Sequence, residues 1–294
     1  MTGRPAIPFA GCFRATDGDE PKVGDGELAF IGLPDDSRSS YRHGSASGPN
    51  RIRLAYDGLS FNACTETGID LTERVTDLGN WRPVDEWEET AAGWRDRTRE
   101  LLRAGAIPFF AGGDHGVTVP IAEALDALGK PVHVVWIDAH GDLYPEFEGS
   151  RSSHACTGAR MLEMPHIASM TQYGIRTIAP AQHATIEAHK DRLRIHEARH
   201  LGIDPLPLPE GIGDDDLVYV TLDLDGFDPA HAPGVSHPVP GGLLPRQVID
   251  LLHRLPGRLV AMDAVEVNPV VDVGDRTAIL AARLMHEAMG LAVG

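Results

Sequence analysis

Acidic and histidine residues with the chemistry of metal ligands are concentrated in three short segments of this 294-residue chain. The segments read GGDH, DAHGD and DLDGFDP, and each directly follows an apolar run of strand length: AIPFFA, VHVVWI and LVYVTL. Alternate residues of an extended chain point the same way, so each segment can present its side chains to one side. The candidate metal ligands are His115, Asp138, His140, Asp142, Asp223 and Asp225.

A cluster of four carboxylates needs a cation, because like charges in a partly desolvated crevice repel one another by several kcal/mol. Two divalent ions would neutralise them, and mostly oxygen ligands favour Mn²⁺ over a structural zinc site, with Ni²⁺, Co²⁺ and Fe²⁺ left open. A single Asp or His after a strand is more often only a helix cap, so the prediction depends on all three segments. Asp114, which is expected to orient His115, and the turn residue Asp228 are left out of the ligand set.

The apolar runs predict a sheet that brings the three segments together. Eight strands are predicted, at residues 28–33, 75–78, 107–111, 132–137, 170–175, 193–195, 217–222 and 259–262. Several of them are apolar at nearly every position, which is typical of parallel strands buried on both faces. Amphipathic segments predict helices between the strands, at residues 86–104, 119–128, 246–255 and 278–291.

The alternation of strands and helices predicts an α/β fold with an open, mainly parallel sheet and helices on both faces. Ligands of such sheets bind beyond the carboxyl ends of the strands, which is where all three segments fall. We expect one domain over residues 1–294, since α/β chains of this size commonly form a single domain. Residues 1–26 are rich in Gly, Pro and Asp and are predicted to be an irregular N-terminal arm.

The composition argues against several classes of partner. A net charge of −17 and a pI near 5.1 repel phosphate backbones and anionic headgroups, so neither a nucleic-acid nor a membrane partner is expected. Cys12, Cys64 and Cys156 form no CxxC pair, which argues against a disulfide framework and favours a reducing cytoplasm. The first residues lack the basic and apolar regions of an export signal, and no run reaches about 18 apolar residues.

The motifs resemble the signature segments of the ureohydrolases, the arginase and agmatinase group. GGDH, DAHGD and TLDLDGFDPAHAPG carry this resemblance, and IGLPDDSRSSYRHGSASGPNRIR and DAVEVNP extend it over most of the chain. The resemblance implies the arginase-type three-layer α/β fold, with an eight-stranded parallel sheet and a centre of two Mn²⁺ ions. It also implies a homo-oligomer, either a trimer or a hexamer.

The resemblance implies a place for each ligand and for two catalytic groups. One metal ion would be bound by His115, Asp138, Asp142 and Asp223, and the other by His140, Asp138, Asp223 and Asp225. Glu266 matches the glutamate that binds the guanidinium group, and a carboxylate can accept paired N–H bonds from that planar cation. His154 matches a loop histidine that moves protons to the departing amine. The catalytic residues implied are Asp142, His154 and Glu266.

The implied activity is cleavage of a small guanidino compound to urea and an amine. In arginases an Asn and an Asp hold the amino-acid head of the substrate, whereas this chain has Tyr144 and Ala179 at those positions. The segment DLYPEFEGSRSSHACTGARMLE is instead similar to the agmatinase segment, although Gly116, Thr157 and Gly158 depart from the agmatinase pattern. We therefore predict agmatine as the substrate, with putrescine and urea as the products.

Other substrates and one inactive role stay open. Guanidinobutyrate or guanidinopropionate would need positive or hydroxyl groups at the pocket mouth, for which the candidates are Arg38, Arg42, Arg151 and Ser152. Glu146 and Glu148 would instead favour an amine tail. Free guanidine and a guanidine of a specialised pathway are further candidates, whereas a related deacetylase would use one zinc ion and fewer carboxylates. An inactive metal-binding regulatory protein is the alternative outside enzymes, and so many clustered charges argue against it.

Overall fold

Eight strands form one sheet in the part of the chain that the computed structural model describes, residues 5–15 and 22–294. They are β1 (Leu28–Leu33), β2 (Val75–Asn80), β3 (Ile107–Gly112), β4 (Val132–Ile137), β5 (Ile167–Ile175), β6 (Leu193–Glu197), β7 (Leu217–Asp223) and β8 (Arg258–Val265). Their spatial order is β2-β1-β3-β8-β7-β4-β5-β6, and every neighbouring pair is parallel. The last strand in the sequence, β8, therefore lies in the middle of the sheet.

All eight predicted strands are present, and prediction and structure differ only at their ends. β5 begins at residue 167 rather than 170, and β8 covers residues 258–265 rather than 259–262. The added residues include polar ones, which do not continue the apolar runs. They nevertheless pair with the neighbouring strands: Ser169 with His133 of β4, and Asp263 with Thr221 of β7. Pairing with the neighbouring strand, rather than the length of the apolar run, sets where each strand ends.

Seven α-helices cover the sheet in the described residues. They are α1 (Gly48–Ala55), α2 (Trp87–Arg103), α3 (Thr118–Ala124), α4 (Thr157–Glu163), α5 (His183–Ala188), α6 (Pro245–His253) and α7 (Arg276–Val293). The four predicted helices correspond to α2, α3 with the 3₁₀ turn Leu125–Leu128, α6 and α7. The other three have only six to eight residues, too few for a helical period to be recognised in the sequence. Within the described ranges, no helix is long and apolar enough to cross a membrane.

Two apolar cores lie on opposite faces of the sheet. In β4, Val135 belongs to the core that includes residues of α1, α6 and α7, whereas Val134 and Trp136 belong to the core that includes residues of α2, α3 and α4. Alternate residues of a strand point to opposite faces, so two buried faces explain why the strands are apolar at nearly every position. The predicted three-layer α/β architecture is confirmed.

Part of the predicted N-terminal arm docks on the first of these cores. A 3₁₀ turn covers Pro8–Gly11, and Phe9 is fully buried beside the rings of Phe30 and Tyr56. Burial of this ring accounts for the order of a segment that has no apolar period of its own. Residues 1–4 and 16–21 of the predicted arm lie outside the described residues.

Candidate metal centre and active site

The three ligand-bearing segments meet at the carboxyl edge of the sheet. β3, β8, β7 and β4 are consecutive in the sheet, so the segments that follow β3, β7 and β4 lie close together, as predicted. A cavity of about 190 Å³ at this edge is lined by Ser40, His140, Asp142, Tyr144, Phe147, His154, Ala155, Thr177, Gln182, Asp223, Asp225, His237 and Glu266. His115 and Asp138 are fully buried and contact residues of this lining.

His115 is surrounded by three carboxylates. Its Nδ1 lies 3.1 Å from Asp138 Oδ2, 3.2 Å from Asp223 Oδ2 and 3.3 Å from Asp142 Oδ2. Within the described residues this buried nitrogen makes no hydrogen bond of good geometry. Atoms bound about 2.1 Å from one divalent ion in octahedral geometry stand about 3 Å apart, which is the distance of each of these oxygens from Nδ1. One ligand atom each of His115, Asp138 and Asp223 also lie within 4.8 Å of one another, so these three residues could hold one ion.

His140 forms a second group of the same kind. Its Nδ1 lies 3.0 Å from Asp225 Oδ2 and 3.4 Å from Asp138 Oδ1. The two oxygens of Asp138 thus face different imidazoles, which is the arrangement of a bridging carboxylate. Asp223 has one oxygen in the first group, and its Oδ1 accepts a hydrogen bond from the backbone N–H of Asp225, so a bridging role for Asp223 stays a prediction.

Backbone and side-chain contacts fix the orientation of the shared carboxylate. Asp138 Oδ1 accepts from the backbone N–H of His140 at 2.6 Å, and its Oδ2 accepts from Trp136 Nε1 at 3.0 Å. The Trp136 ring also stacks on the imidazole of His115, with 4.3 Å between the ring centroids. Gly113 of the GGDH segment packs so closely that a Cβ there would lie 1.8 Å from the carbonyl oxygen of Asp35. The close approach requires glycine at this position.

The clustered carboxylates oppose one another's ionisation. Burial, and then the charges of Asp225 and Asp142, raise the pKa of Asp138 to about 6. Burial, and then the charges of Asp225 and Asp138, raise the pKa of Asp223 well above its ordinary value. Divalent cations would favour the ionised forms, so this set of donors fits the two metal ions that it is predicted to bind.

The two predicted catalytic groups outside the ligand set contact each other. Glu266 Oε1 accepts from the backbone N–H of His115 at 3.1 Å and lies 3.0 Å from His154 Nδ1. Glu266 Oε2 is buried and has no hydrogen-bond partner among the described residues. This oxygen is therefore an acceptor that a bound ligand can satisfy.

Ser40 contacts the other nitrogen of His154. The backbone N–H of Ser40 lies 3.2 Å from His154 Nε2, and its Oγ lies 3.0 Å away. A carboxylate can only accept, so Nδ1 of His154 carries the hydrogen that faces Glu266. Nε2 can then accept from the Ser40 N–H when the ring is neutral, or donate to Ser40 Oγ when the ring is protonated. Although burial alone would lower it, Glu266 raises the pKa of His154 to about 9.

Two lining residues received no role from the sequence. Ser40 lies inside a segment that carries the family resemblance, but nothing in the sequence distinguishes a functional serine in a loop from any other. His237 lies three residues beyond the end of TLDLDGFDPAHAPG, outside any strand or helix. Its Nε2 is 3.3 Å from Ser40 Oγ, and its ring centroid is 5.1 Å from that of His154. Both were missed because loops, rather than a periodic element, bring them to the cavity.

The residues proposed to bind a carboxylate tail lie away from the cavity beside the ligand cluster. Arg151 pairs with Glu163, and the guanidinium groups of Arg38 and Arg42 lie over the rings of Trp87 and Tyr41. None of the three lines the cavity, and neither does Ser152.

The two aspartates left out of the ligand set cap local structure. Asp114 Oδ1 accepts from the backbone N–H of Gly116 at 2.9 Å, at the start of the 3₁₀ turn that carries His115. Asp228 accepts from the backbone N–H groups of Ala230 and Gly241, as a turn residue does. Burial, and then the charge of Glu266, raise the pKa of Asp114 to about 8.

Comparison with known proteins identifies the family. The family model described as Arginase family matches residues 26–290. The chain belongs to the arginase family. Members of this family depend on a binuclear metal centre, and the membership supports a hydrolase that acts on guanidino C–N bonds.

Three relatives of different specificity resemble this arginase-family chain. The mitochondrial arginase of Medicago truncatula is 35% identical over 88% of this chain and 80% of its own length. A solved structure of arginase from Medicago truncatula has a TM-score of 0.80 at 34% identity, over 90% of this chain and 86% of that chain. Proclavaminate amidinohydrolase of Streptomyces clavuligerus is 35% identical over 90% and 87% of the two chains, and the mitochondrial agmatinase of Gallus gallus is 30% identical over 90% and 80%. The agmatinase-like subgroup therefore stays a prediction.

Proposed function

We propose that this arginase-family protein is a binuclear-metal amidinohydrolase that cleaves agmatine to putrescine and urea. The observation that carries the proposal is a small cavity that is lined by four of the six predicted ligands together with His154 and Glu266, whose Oε2 has no hydrogen-bond partner among the described residues. The ligand cluster would bind the ions that activate water, and Glu266 and His154 would interact with the guanidino group of the substrate.

The six predicted ligands would hold the two metal ions, which we propose to be Mn²⁺, with Ni²⁺ as the alternative. The group around His115 and the group around His140 would each hold one ion and share Asp138. Bound there, the ions would supply the Lewis acidity that activates water for attack on the guanidino carbon. Asp142 would be a further ligand of this centre, and its Oδ2 lies 3.3 Å from Nδ1 of His115.

Glu266 and His154 would orient the guanidinium group and move its proton. Glu266 Oε2 can accept an N–H of the guanidinium, which places the planar cation beside the ligand cluster. His154 Nδ1 lies 3.0 Å from Glu266 Oε1, so its hydrogen would be close to a guanidinium that binds at Glu266. From this position His154 can deliver a proton to the departing amine.

The lining of the cavity supports an amine tail rather than a carboxylate tail. Among the described residues no Lys or Arg lines the cavity, so a carboxylate would have no cation to pair with. Gln182 lines the cavity, and its buried Oε1 has no hydrogen-bond partner among the described residues, so it can accept from an ammonium group. The rings of Tyr144 and Phe147, 5.1 Å apart, provide an aromatic wall beside which an ammonium is also stabilised.

L-Arginine is the second candidate substrate. The observation in its favour is that plant arginases are 34–36% identical to this chain, whereas the agmatinase of Gallus gallus is 30% identical. Tyr144 and Ala179, at the two positions where the resemblance to arginases would place the anchors of an amino-acid head, favour agmatine instead.

The deciding experiment is urea release from purified protein loaded with Mn²⁺ or with Ni²⁺. The panel contains agmatine, L-arginine, 4-guanidinobutyrate, 3-guanidinopropionate and guanidine, with an Asp138→Asn variant as the inactive control. Agmatine is expected to give the highest kcat/KM. A higher kcat/KM for another guanidine would support the amidinohydrolase reaction but reject agmatine as the substrate. Urea release from none of them would favour the alternative of an inactive metal-binding protein.

We also propose that the protein is a cytoplasmic homo-oligomer, a trimer or a hexamer. Oligomeric assembly of family members and the absence of CxxC pairs support this. Light scattering of the purified protein measures the assembly, and a mass near 31.7 kDa, that of one chain, would reject it.

A further inference from the structure

Asp263 is a fully buried carboxylate outside the metal ligands and the cavity lining. Asp263 is in β8, in the middle of the sheet, and is 0% exposed. Its carboxylate accepts hydrogen bonds from three hydroxyl groups: Thr221 Oγ1 at 2.6 Å, Thr118 Oγ1 at 2.8 Å and Tyr219 OH. Among the described residues, no Lys or Arg forms an ion pair with it. A buried carboxylate satisfied only by neutral donors is costly compared with an apolar side chain, so its presence needs an explanation.

Thr221 connects this carboxylate to the metal centre. Thr221 is fully buried in β7, directly opposite Asp263 in the register of the sheet. Its Oγ1 lies 3.0 Å from His115 Nε2. A threonine hydroxyl has one hydrogen, and donation to Asp263 Oδ1 uses it, so Oγ1 must accept from Nε2–H of His115.

The direction of these two hydrogen bonds, from His115 to Thr221 and from Thr221 to Asp263, determines which nitrogen of His115 has a free lone pair. With the hydrogen held on Nε2, Nδ1 presents its lone pair to the space between Asp138, Asp142 and Asp223. A hydroxyl without a carboxylate behind it could rotate and donate to Nε2, which would move the hydrogen to Nδ1 and block the ligand. Hydrogen-bond partners of the second imidazole nitrogen commonly fix metal-binding histidines in this way.

We propose that Asp263 is a positioning residue of the metal centre, which acts through Thr221 to keep Nδ1 of His115 available as a metal ligand. The inference rests on the proposed role of His115 as a ligand and deepens it. It also assigns a role to the first residue of DAVEVNP, a segment whose resemblance to the family gave a role only to Glu266.

Matched valine variants separate this role from a contribution to folding. Thr221→Val removes the hydroxyl that links Asp263 to His115. Thr118→Val removes another hydroxyl donor to Asp263, one that makes no hydrogen bond with the imidazole of His115. Both substitutions keep the shape of the side chain, and valine is well accommodated in the buried strand β7. Thr221→Ser restores the hydroxyl and serves as the rescue variant. Asp263→Asn tests the carboxylate itself.

The readout is the affinity for Mn²⁺, measured by chelator competition, with circular dichroism to confirm folding. Thr221→Val and Asp263→Asn are expected to weaken the binding of Mn²⁺ at the site that His115 would form by about 10- to 100-fold, the range found for partners of this kind. Thr118→Val and Thr221→Ser are expected to bind nearly as the unmodified protein does. Unchanged affinity in Thr221→Val, or an equal loss in Thr118→Val, would overturn the proposal. An unmodified protein that binds neither Mn²⁺ nor Ni²⁺ would instead reject the metal centre itself.

Discussion

Glu266 Oε1 lies 3.0 Å from Nδ1 of His154, a residue 112 positions earlier in the sequence. The contact joins the carboxylate proposed to bind the guanidinium to the imidazole proposed to protonate the departing amine. Because both groups also line the cavity beside the ligand cluster, each can be tested by substitution without changing the six ligands.

Glu266→Gln is expected to lower kcat/KM for agmatine by about 100-fold, because a hydrogen bond between a guanidinium and a carboxylate is worth about 1.5–3 kcal/mol. The measurement is steady-state urea release at saturating Mn²⁺. Glu163→Gln is the control, since Glu163 pairs with Arg151 and Arg160 away from the cavity and its loss should leave the rate unchanged. Equal rates for Glu266→Gln and the control would reject the guanidinium role.

The contribution of His154 to stability is expected to decline as the pH rises. Burial alone would lower the pKa of His154, but the hydrogen bond and charge of Glu266 raise it from 6.5 to about 9. A group whose pKa is raised on folding stabilises the fold fully below its unfolded pKa, and this contribution is lost between about pH 6.5 and 9. The difference in Tm between the protein and a His154→Asn variant should therefore shrink across that interval. A difference that stays constant with pH contradicts the prediction.

Ser40→Ala is expected to lower the pKa of His154 and to reduce kcat by about 3- to 10-fold, with little change in KM. The variant keeps the backbone N–H that serves the neutral ring but removes the hydroxyl that accepts from the protonated ring. The pH profile of kcat measures the shift. Ser39→Ala is the matched control, because Ser39 Oγ donates to the carbonyl oxygen of Tyr41 rather than to His154. An unchanged profile in Ser40→Ala would show that the hydroxyl does not support the protonated state.

Binding of Mn²⁺ is expected to strengthen as the pH rises through about 6. Burial and the charges of Asp225 and Asp142 raise the pKa of Asp138 to about 6, so protons compete with the metal below that pH. The increase in Tm on adding Mn²⁺ should be larger at pH 8 than at pH 5.5. Removal of the metal with a chelator should abolish urea release, and Mn²⁺ should restore it. An equal Tm increase at both pH values would argue that Asp138 is not a ligand.

Gln182→Glu is expected to increase the preference for agmatine over 4-guanidinobutyrate by about 10-fold. The substitution adds a negative charge where Gln182 Oε1 has no partner, which attracts an ammonium tail and repels a carboxylate tail. The ratio of the two kcat/KM values is the measurement, because it is insensitive to losses of active enzyme. Gln172→Glu, a buried position outside the cavity lining, is the control. A ratio that falls or stays the same would show that the ammonium tail of agmatine does not bind beside Gln182.

The clustering of the candidate ligands could be predicted because each group of them follows a strand that is recognisable by itself. VHVVWI and LVYVTL are apolar at nearly every position since both faces of β4 and β7 are buried, and the aspartates begin where that pattern stops. The resemblance then added Glu266 and His154, which spacing alone would not have singled out. The structure places all of these residues at one site.

Residues brought in by loops or by the register of the sheet could not be predicted. Nothing in the sequence shows that the hydroxyl of Ser40 meets His154, or that His237 reaches the same cavity. The role of Asp263 could not be predicted for another reason: an aspartate interrupts the apolar run, so the strand was predicted to end before it. Its partners become visible only when the register pairs it with Thr221. Arg38, Arg42 and Arg151 show the opposite error, since a charge near the motifs in sequence need not face the site.

The central place of β8 in the sheet has a consequence for how the protein matures. β8 is the last strand to be synthesised, yet it lies between β3, which is followed by His115, and β7, which ends at Asp223. A nascent chain that ends before residue 258 has both sets of ligands but no strand to join them. We therefore expect that metal is acquired only after the C-terminal segment has left the ribosome and inserted into the sheet. Truncated chains should bind no metal, even though all six ligands lie upstream of the truncation.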